Sequence, residues 1–175
     1  MELREGDIVL RAWHLDDAPA VEAACQDSAI SYWIPFVPSP YTCEDAETYL
    51  RGCIESGDER HPFAIVDAAT GRLLGSIDMG VNAMRTGHVG YWVAAEARGR
   101  GVCTRALGTL ARWALEELEL QRLELVTDPD NVASQRVAEK AGFRREGVLR
   151  SHLQHRDGRR RDSVIFSLLP GELVL

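Results

Sequence analysis

The chain has 175 residues, of which 45% are hydrophobic and 27% are charged, as in an ordinary globular protein. A chain of this length buries enough apolar surface to fold without disulfide bonds or a metal ion, which excludes a disulfide-stapled mini-protein. Because no apolar run reaches about 18 residues, a membrane span is excluded as well. Residues 1–7 lack the basic flank and apolar core of a signal peptide, so we expect one cytoplasmic domain over residues 1–175.

The net charge of −7 is distributed unevenly along the chain. Residues 1–80 carry 15 acidic and 5 basic side chains, whereas residues 81–175 carry 12 acidic and 15 basic ones. Such asymmetry is typical of a protein with two ligands of opposite charge, although an unevenly charged solvated surface explains it as well. Lys140 is the only lysine. An anion site would therefore use arginine, whose planar guanidinium binds phosphate in a bidentate manner.

The four cysteines show no metal-binding or redox spacing. Cys25, Cys43, Cys53 and Cys103 are separated by 18, 10 and 50 residues, and no C-x-x-C pair occurs. We expect free thiols and no metal site.

Hydrophobic periodicity and turn residues predict four strands and two helices in the first half of the chain. The predicted strands are Ile8–Trp13, Pro62–Asp67, Leu73–Val81 and His88–Val93. Short connections make the last three an antiparallel meander. The predicted helices are Ala18–Cys25, capped by Asp16 or Asp17, and Cys43–Ser56, capped by Thr42. The stretch Tyr32–Tyr41 contains three prolines and cannot be a regular helix.

The second half alternates helices and strands. The predicted elements are an amphipathic helix Arg98–Leu118, a strand Arg122–Val126, a helix Asn131–Ala141 and two strands, Arg145–His155 and Arg161–Leu168. The pair Asp157-Gly158 indicates a hairpin turn between the last two. The whole order predicts an α/β domain with a mixed sheet.

The clearest functional signal lies between the third meander strand and the next helix. Gly99 and Gly101 let the backbone approach a phosphate, and Arg98 and Arg100 add positive charge. Free N–H groups at a helix start bind anions, so the segment predicts a pyrophosphate site. A glycine-rich helix start with solvated arginines is the structural alternative. The P-loop motif is absent, and a dinucleotide fingerprint would need glycine or alanine where Thr104 stands.

The sequence Arg98-Gly-Arg-Gly-Val-Cys103 resembles the R-x-x-G-x-[GA] signature of the GNAT acetyltransferases, which hold acetyl-CoA. The segment Asn131–Phe143 resembles the family's N-x-x-S…G-F block. The closing segment, Gly147–Leu168, and the aromatic stretch that ends in Pro40-Tyr41-Thr42 are similar to the ribosomal-protein N-terminal acetyltransferase (RimJ/RimL-like) branch. The resemblance covers nearly the whole chain. It departs at Cys103, where the family has glycine or alanine, although cysteine is still small.

The resemblance implies a GNAT-like α/β (α+β) fold, with a mixed, mostly antiparallel seven-stranded sheet and about four helices. It also implies acetyl-CoA as co-substrate and no metal. Trp92 and Val93 would lie on a strand that splays from its neighbour, pairs with the pantetheine arm and offers an N–H to the oxyanion. The other implied contacts to CoA come from Arg98, Gly99, Arg100, Gly101, Val102, Cys103, Thr104 and Asn131.

For catalysis, the matching family position implies that Ser134 donates a proton to the leaving thiolate. A thiol with a pKa near 8.5 needs only modest help to leave at neutral pH. Asp78 is the first candidate for the general base, alone or through water, and His88 and Tyr91 follow. An α-amine with a pKa of about 7.7–8.0 needs less help from a base than a lysine amine does. Each of these residues could equally be an ordinary structural polar residue.

Three aromatic residues of the proline-rich stretch, Trp33, Phe36 and Tyr41, are predicted to wall the acceptor pocket. The acidic first half of the chain suits a cationic amine beside that pocket. The basic segment 156–161 coincides with a hairpin turn and lacks interleaved aromatics, so we expect a solvated turn and no nucleic-acid partner. His152 and His155 are expected at the surface.

The sequence therefore predicts an acetyl-CoA-dependent N-acetyltransferase, in which a primary amine attacks the thioester directly. The acceptor is a protein N-terminal α-amine or a small-molecule amine. The alternative is a non-catalytic acyl-CoA sensor or partner-binding module, which Cys103 and the uncertain base would favour. We expect no membrane partner, and the late strands could form a homodimer.

Overall fold

The structure is a computed structural model that describes residues 1–155 and 157–173. The strands are β1 (Glu2–Glu5), β2 (Ile8–Arg11), β3 (Arg60–Asp67), β4 (Leu73–Val81), β5 (Thr86–Val93), β6 (Arg122–Thr127), β7 (Arg144–Gln154) and β8 (Arg160–Leu168). The α-helices are α1 (Ala18–Cys25), α2 (Ser28–Trp33), α3 (Cys43–Ile54), α4 (Val102–Glu116) and α5 (Val132–Lys140).

All eight strands form one sheet in the order β1-β2-β3-β4-β5-β6-β8-β7. Strands β5 and β6 pair in parallel, and every other pair in the described ranges is antiparallel. The mixed, mostly antiparallel sheet is therefore confirmed. The parallel pair arises because α4 carries the chain back across one face before β6 begins, as a parallel connection requires.

The two faces of the sheet pack against different helices. On one face, α1 and α3 cover an apolar cluster that includes Val9, Val21, Leu50 and Val66. On the other face, α4 buries Leu107 and Leu110 against the sheet, and Ala138 of α5 joins the same core. Side chains alternate along β5, so Val89, Tyr91 and Val93 pack on the α4 face. Trp92 packs on the α3 face.

Strand β5 parts from β6 halfway along its length. Its pairing with β4 continues to Val93, which lies opposite Gly75. Its pairing with β6 stops where Val89 lies opposite Leu125. From Gly90 onward, the two parallel neighbours leave an opening, which we call the gap. The splayed strand that the resemblance implies is thus present.

The structure adds two elements that the sequence did not predict. The edge strand β1 pairs with β2 from Glu2 to Glu5, and its residues alternate between exposed and half-buried. The short helix α2 takes in Tyr32 and Trp33, which were assigned to an irregular stretch. Asp27 caps it by accepting a hydrogen bond from the Ala29 N–H at 2.9 Å. The prolines that follow end it after six residues.

Some predicted boundaries and caps are wrong. Asp17 precedes α1 but does not cap it with its side chain. Its carboxylate instead accepts hydrogen bonds from Arg11 and from the His14 N–H. Helix α4 begins at Val102 rather than at Arg98, because Gly99 and Gly101 adopt left-handed backbone angles that a helix excludes.

The described residues contain no helix that is long and apolar enough to cross a membrane. All four cysteines are free thiols; Cys25 and Cys53 are buried, and Cys43 is exposed. The cytoplasmic location, the single-domain organisation and the homodimer stay predictions.

The carboxylate of Glu146 should make stability depend on acidic pH. Hydrogen bonds from Arg122, and secondarily from Ser167, lower its pKa to about 2. The folded state therefore favours the ionised form. The stabilisation that ionised Glu146 gives the fold is complete above about pH 4.3, the pKa of this carboxyl in the unfolded chain. It is lost as the pH falls towards 2. In urea unfolding, Glu146→Gln should be less stable than the parent at pH 7, and the difference should shrink between pH 5 and 2. A pH-independent difference would contradict this assignment.

Candidate functional site

The loop between β5 and α4 forms an open cradle of backbone N–H groups. Gly99 and Gly101 both have φ of 72°, a conformation that residues with a Cβ adopt at a cost. Gly101 is the N-cap of α4 and supplies no side-chain cap. Within the described ranges, the N–H groups of residues 99–104 find no hydrogen-bond acceptor. These donors lie at the positive end of a 15-residue helix and suit an anion.

The two arginines of this loop play different roles. The Arg98 side chain donates to the Val93 carbonyl at 3.1 Å and forms an ion pair with Asp27 at 2.5 Å. Arg98 therefore ties the loop to the end of β5 and to the start of α2. The exposed Arg100 side chain makes no hydrogen bond or ion pair with any residue that the structure describes. Of the two, Arg100 is the one available to a phosphate.

The remaining residues of the predicted cofactor site offer mainly backbone groups. Val102 is 2% exposed, and its side chain belongs to the α4 core. Burial raises the pKa of the Cys103 thiol, which therefore stays neutral. Trp92 and Val93 pack their side chains against opposite cores. Because the Ala94 N–H bonds the Leu74 carbonyl and antiparallel pairs alternate, the backbone groups of Trp92 face β4, whereas those of Val93 face the gap. Thr104 is half-buried in the first turn of α4.

Ser134 and Tyr91 meet on the α4 face of the gap. Asn131 caps α5, and its side chain accepts a hydrogen bond from the Ser134 N–H at 3.1 Å. The Ser134 hydroxyl lies 2.9 Å from the Tyr91 hydroxyl, which joins α5 to β5. Both residues were candidates from the sequence, but their contact was not predicted.

Tyr91 carries a neutral hydroxyl that can donate a hydrogen bond but is not a base. Burial raises the pKa of its phenol well above the usual value near 10. The group therefore stays protonated at neutral pH. This removes Tyr91 from the candidates for the general base and makes it a partner of Ser134 instead.

Asp78 lies on the opposite face of the sheet. Ser76, two residues earlier on β4, hydrogen-bonds Tyr49 of α3, and side chains two apart on a strand share a face. The Asp78 Oδ2 accepts a hydrogen bond from Arg60 Nε at 2.7 Å, whereas Oδ1 is buried and has no partner among the described residues. An unpartnered buried carboxylate oxygen is costly, so it marks a place where a donor belongs.

An open cleft of about 530 Å³ lies beside this carboxylate. Its lining includes Asp78, His88 and Gly90. The His88 ring lies 3.1 Å from the Asn82 amide and 3.4 Å from the Glu124 carboxylate. Two of the three candidate bases therefore share one cleft.

The predicted catalytic groups flank the start of the gap from its two sides. Asp78 pairs with Gly90, the first residue beyond the β5–β6 pairing, and Tyr91 follows directly. The Asp78 carboxylate lies on the α3 face, and the hydroxyls of Ser134 and Tyr91 lie on the α4 face. A molecule that passes through the gap would meet acid–base groups on both sides.

A second cleft, of about 590 Å³, lies between α2, the loop after β6 and the β7–β8 hairpin. Tyr32 lines it together with Asp130 and His155. Trp33 is half-buried at the end of α2, and Phe36 is 85% exposed nearby in the chain. Tyr41 does not fit the predicted wall, because only 7% of it is exposed and it packs in the α1–α3 core.

The basic hairpin is only partly the solvated turn that the sequence predicted. Arg159 is largely exposed beside Asp157, but the Arg161 side chain is 10% exposed and forms an ion pair with Asp128 at 2.8 Å. His155 is also half-buried, with 21% of its side chain exposed, whereas His152 is exposed as expected. Arg156 lies outside the described residues.

A comparison with protein families decides the identity. A model described as the acetyltransferase (GNAT) domain matches residues 7–144, most of the chain. The chain belongs to the GNAT acetyltransferase family. This GNAT protein is an N-acetyltransferase of the RimJ/RimL-like branch.

Curated relatives and solved structures agree with this assignment. YdaF of Bacillus subtilis, provisionally named a ribosomal N-acetyltransferase, is 34% identical over 150 residues, which cover 80% of this chain and 78% of YdaF. YjcK of the same organism, named as an N-acetyltransferase, is 35% identical over 100 residues, and the match spans 55% of each chain.

Among solved structures, Mycobacterium smegmatis RimJ in complex with CoA-disulfide has a TM-score of 0.87 and 26% identity, covering 100% of this chain and 88% of RimJ. A GNAT acetyltransferase from Bacillus anthracis has a TM-score of 0.88 at 23% identity, covers 98% of this chain and 100% of that chain, and supports the fold alone.

Proposed function

We propose that this GNAT enzyme transfers the acetyl group of acetyl-CoA to the α-amine of a protein N-terminus. The observation that carries the proposal is the gap, which has a carboxylate on one face and a pair of hydroxyls on the other. An acetyl transfer needs both groups, because one proton leaves the amine and another reaches the departing thiolate.

The loop and the gap fit acetyl-CoA. The free N–H groups of residues 99–104 and the unpaired Arg100 would hold the pyrophosphate. The edge of β5 beyond Val89 would receive the pantetheine arm by backbone hydrogen bonding, through Tyr91 and the Val93 N–H, because the Val93 carbonyl already accepts from Arg98. When bound, acetyl-CoA supplies an activated thioester, and the protein has to orient it and move protons.

Each step of the transfer has a group in place. The neutral amine attacks the thioester carbonyl, and an N–H of β5 stabilises the negative charge that forms on the carbonyl oxygen. Asp78 receives the amine proton directly or through water. The tetrahedral adduct then collapses and its C–S bond breaks. Ser134, hydrogen-bonded to Tyr91, passes a proton to the leaving sulfur and is reprotonated from solvent, to which Asp78 releases the amine proton. No covalent bond to the enzyme and no metal ion is needed.

Two considerations favour an N-terminal α-amine, and a third favours a cationic amine of any kind. An α-amine is already partly neutral at pH 7, so a single carboxylate suffices as base. The cleft beside Asp78 also includes Glu59, and the second cleft includes Asp130; both carboxylates attract a cationic acceptor. YdaF, provisionally named a ribosomal N-acetyltransferase, makes a ribosomal protein the first acceptor to test.

The proposal is tested by measuring release of the CoA thiol from acetyl-CoA across a panel of amines. The panel contains peptides with free N-termini, N-terminally blocked peptides with one lysine, polyamines and aminoglycosides. We expect release with free N-termini, together with a mass increase of one acetyl group on the peptide. Release with small amines alone would overturn the proposed acceptor. Tight acetyl-CoA binding without release would favour the acyl-CoA sensor.

The assignment of the loop makes a separate prediction. Arg100→Ala removes a charge-assisted contact to phosphate and should raise the KM for acetyl-CoA by about 10-fold with little change in kcat. The matched control is Arg51→Ala, which removes an exposed arginine from α3, where it pairs with Glu47. The control should keep the parent KM. An unchanged KM in Arg100→Ala would remove this arginine from the cofactor site.

A further inference from the structure

The side chain of Arg161 joins three segments around the second cleft. Arg161 lies at the start of β8, and only 10% of its side chain is exposed. Its Nη1 donates to Asp128 Oδ2 at 2.8 Å, and its Nη2 donates to the Trp33 carbonyl at 3.2 Å. One planar guanidinium thus fixes the hairpin, the loop after β6 and the end of α2 to each other.

Asp128 continues this connection into α5. Its Oδ1 accepts a hydrogen bond from the Asp130 N–H at 2.8 Å, and its carbonyl accepts one from the Asn131 N–H at 3.0 Å. The Asn131 side chain then accepts from the Ser134 N–H. Two residues, Asp128 and Asn131, therefore link the Arg161 guanidinium to Ser134 by hydrogen bonds.

The burial of this ion pair makes its geometry demanding. Removing two charges from water is costly, and an apolar pair of similar volume is often at least as stable. A lysine at position 161 would keep the charge but could not make two directed contacts from one planar group. The buried Arg161–Asp128 pair is therefore better explained by the way it holds the three segments together than by a gain in the free energy of unfolding.

We infer that Arg161 is a positioning residue, which sets the Ser134 hydroxyl relative to the gap by holding the turn that starts α5. This inference rests on the proposed function. It assigns the basic hairpin a role inside the protein, although the sequence suggested only a solvated turn there. Residues 99–104 do not share these contacts, although Asn131 does, so acetyl-CoA binding should change less than kcat when Arg161 is replaced.

The test compares Arg161→Lys with a matched ion pair elsewhere. Arg11 and Asp17 form a similarly buried pair, with side chains 18% and 12% exposed, next to α1 and outside the site. Arg11→Lys is therefore the control for loss of a buried guanidinium. Each substitution is made in the parent and in the Ser134→Ala background, because a residue that acts through Ser134 loses its effect when Ser134 is absent.

We expect Arg161→Lys to lower kcat by about 10-fold in the parent and by less than about twofold in Ser134→Ala, with the KM for acetyl-CoA changed by less than about threefold in both. Arg11→Lys should keep kcat and KM in both backgrounds. Equal losses of kcat in the two backgrounds would overturn the inference, because they indicate a general structural defect.

Amide hydrogen exchange decides the inference even if no acceptor is found. Arg161→Lys should speed exchange of the Ser134 amide by about 10-fold, since the cap of α5 loosens, and Arg11→Lys should not. Unchanged exchange at Ser134 would overturn the inference. Inactivity of the parent enzyme on every amine would overturn the proposed function instead.

Discussion

Replacing Asp78 by asparagine should lower kcat by about 10²-fold or more, because the carboxylate proposed to take the proton of the attacking amine is lost. Asparagine keeps an oxygen that can accept the Arg60 hydrogen bond, so the cleft should keep its shape. Initial rates with a free N-terminal peptide, at saturating acetyl-CoA, measure the effect.

Glu59→Gln is the matched control for Asp78→Asn. Glu59 is a second carboxylate in the lining of the same cleft. Its replacement should change kcat by less than about twofold, because a change in cleft charge alone affects mainly acceptor binding. If Asp78→Asn keeps the parent kcat while His88→Gln loses activity, the proton goes to His88 instead, and the role of Asp78 is lost.

The second large effect is expected on the thiolate side of the gap. Ser134→Ala and Tyr91→Phe should each lower kcat by about 10- to 100-fold, with little change in the KM for acetyl-CoA. The backbone N–H of residue 134 still reaches the Asn131 cap in the alanine variant, so α5 should stay in place. Because the two hydroxyls share one hydrogen bond, the double variant should lose much less than the product of the single losses.

Tyr49→Phe is a close control for Tyr91→Phe. Both hydroxyls hydrogen-bond a serine hydroxyl, at 2.8 Å for Tyr49 with Ser76 and at 2.9 Å for Tyr91 with Ser134. Burial raises the pKa of both phenols. Tyr49 belongs to α3 and packs in the core of that face, away from Ser134, so its loss should lower stability and leave kcat unchanged. Equal kcat values for the two variants would show that Tyr91 has no part in the reaction.

The sequence predicted the parts of the site that depend on local chain geometry. Gly99 and Gly101, followed by an amphipathic pattern, indicate a helix start with free N–H groups, and the structure has both glycines at positive φ. The last helix was predicted to begin at Asn131, and Asn131 caps α5, which begins one residue later. Such features depend on neighbours within one turn, which the sequence displays directly.

Contacts between distant segments could not be predicted in the same way. Tyr91 and Ser134 are 43 residues apart, and nothing in either neighbourhood indicates that their hydroxyls meet. Arg98 was predicted to bind phosphate, but in the folded chain Asp27 lies beside it and forms an ion pair with it. Tyr41 was predicted in a pocket wall because proline-rich loops are usually exposed, but the chain folds back under α1 and α3 and buries its ring.

The central claim is that Asp78 serves the amine and Ser134 serves the thiolate in one reaction. It is tested most directly by measuring kcat/KM of Asp78→Asn and Ser134→Ala against amine acceptors of equal shape whose pKa values run from about 7 to about 10. The loss in Asp78→Asn should grow with amine pKa, since more basic amines need the base most. The loss in Ser134→Ala should be the same for every amine. Parallel losses in both variants across the series would contradict this division of roles.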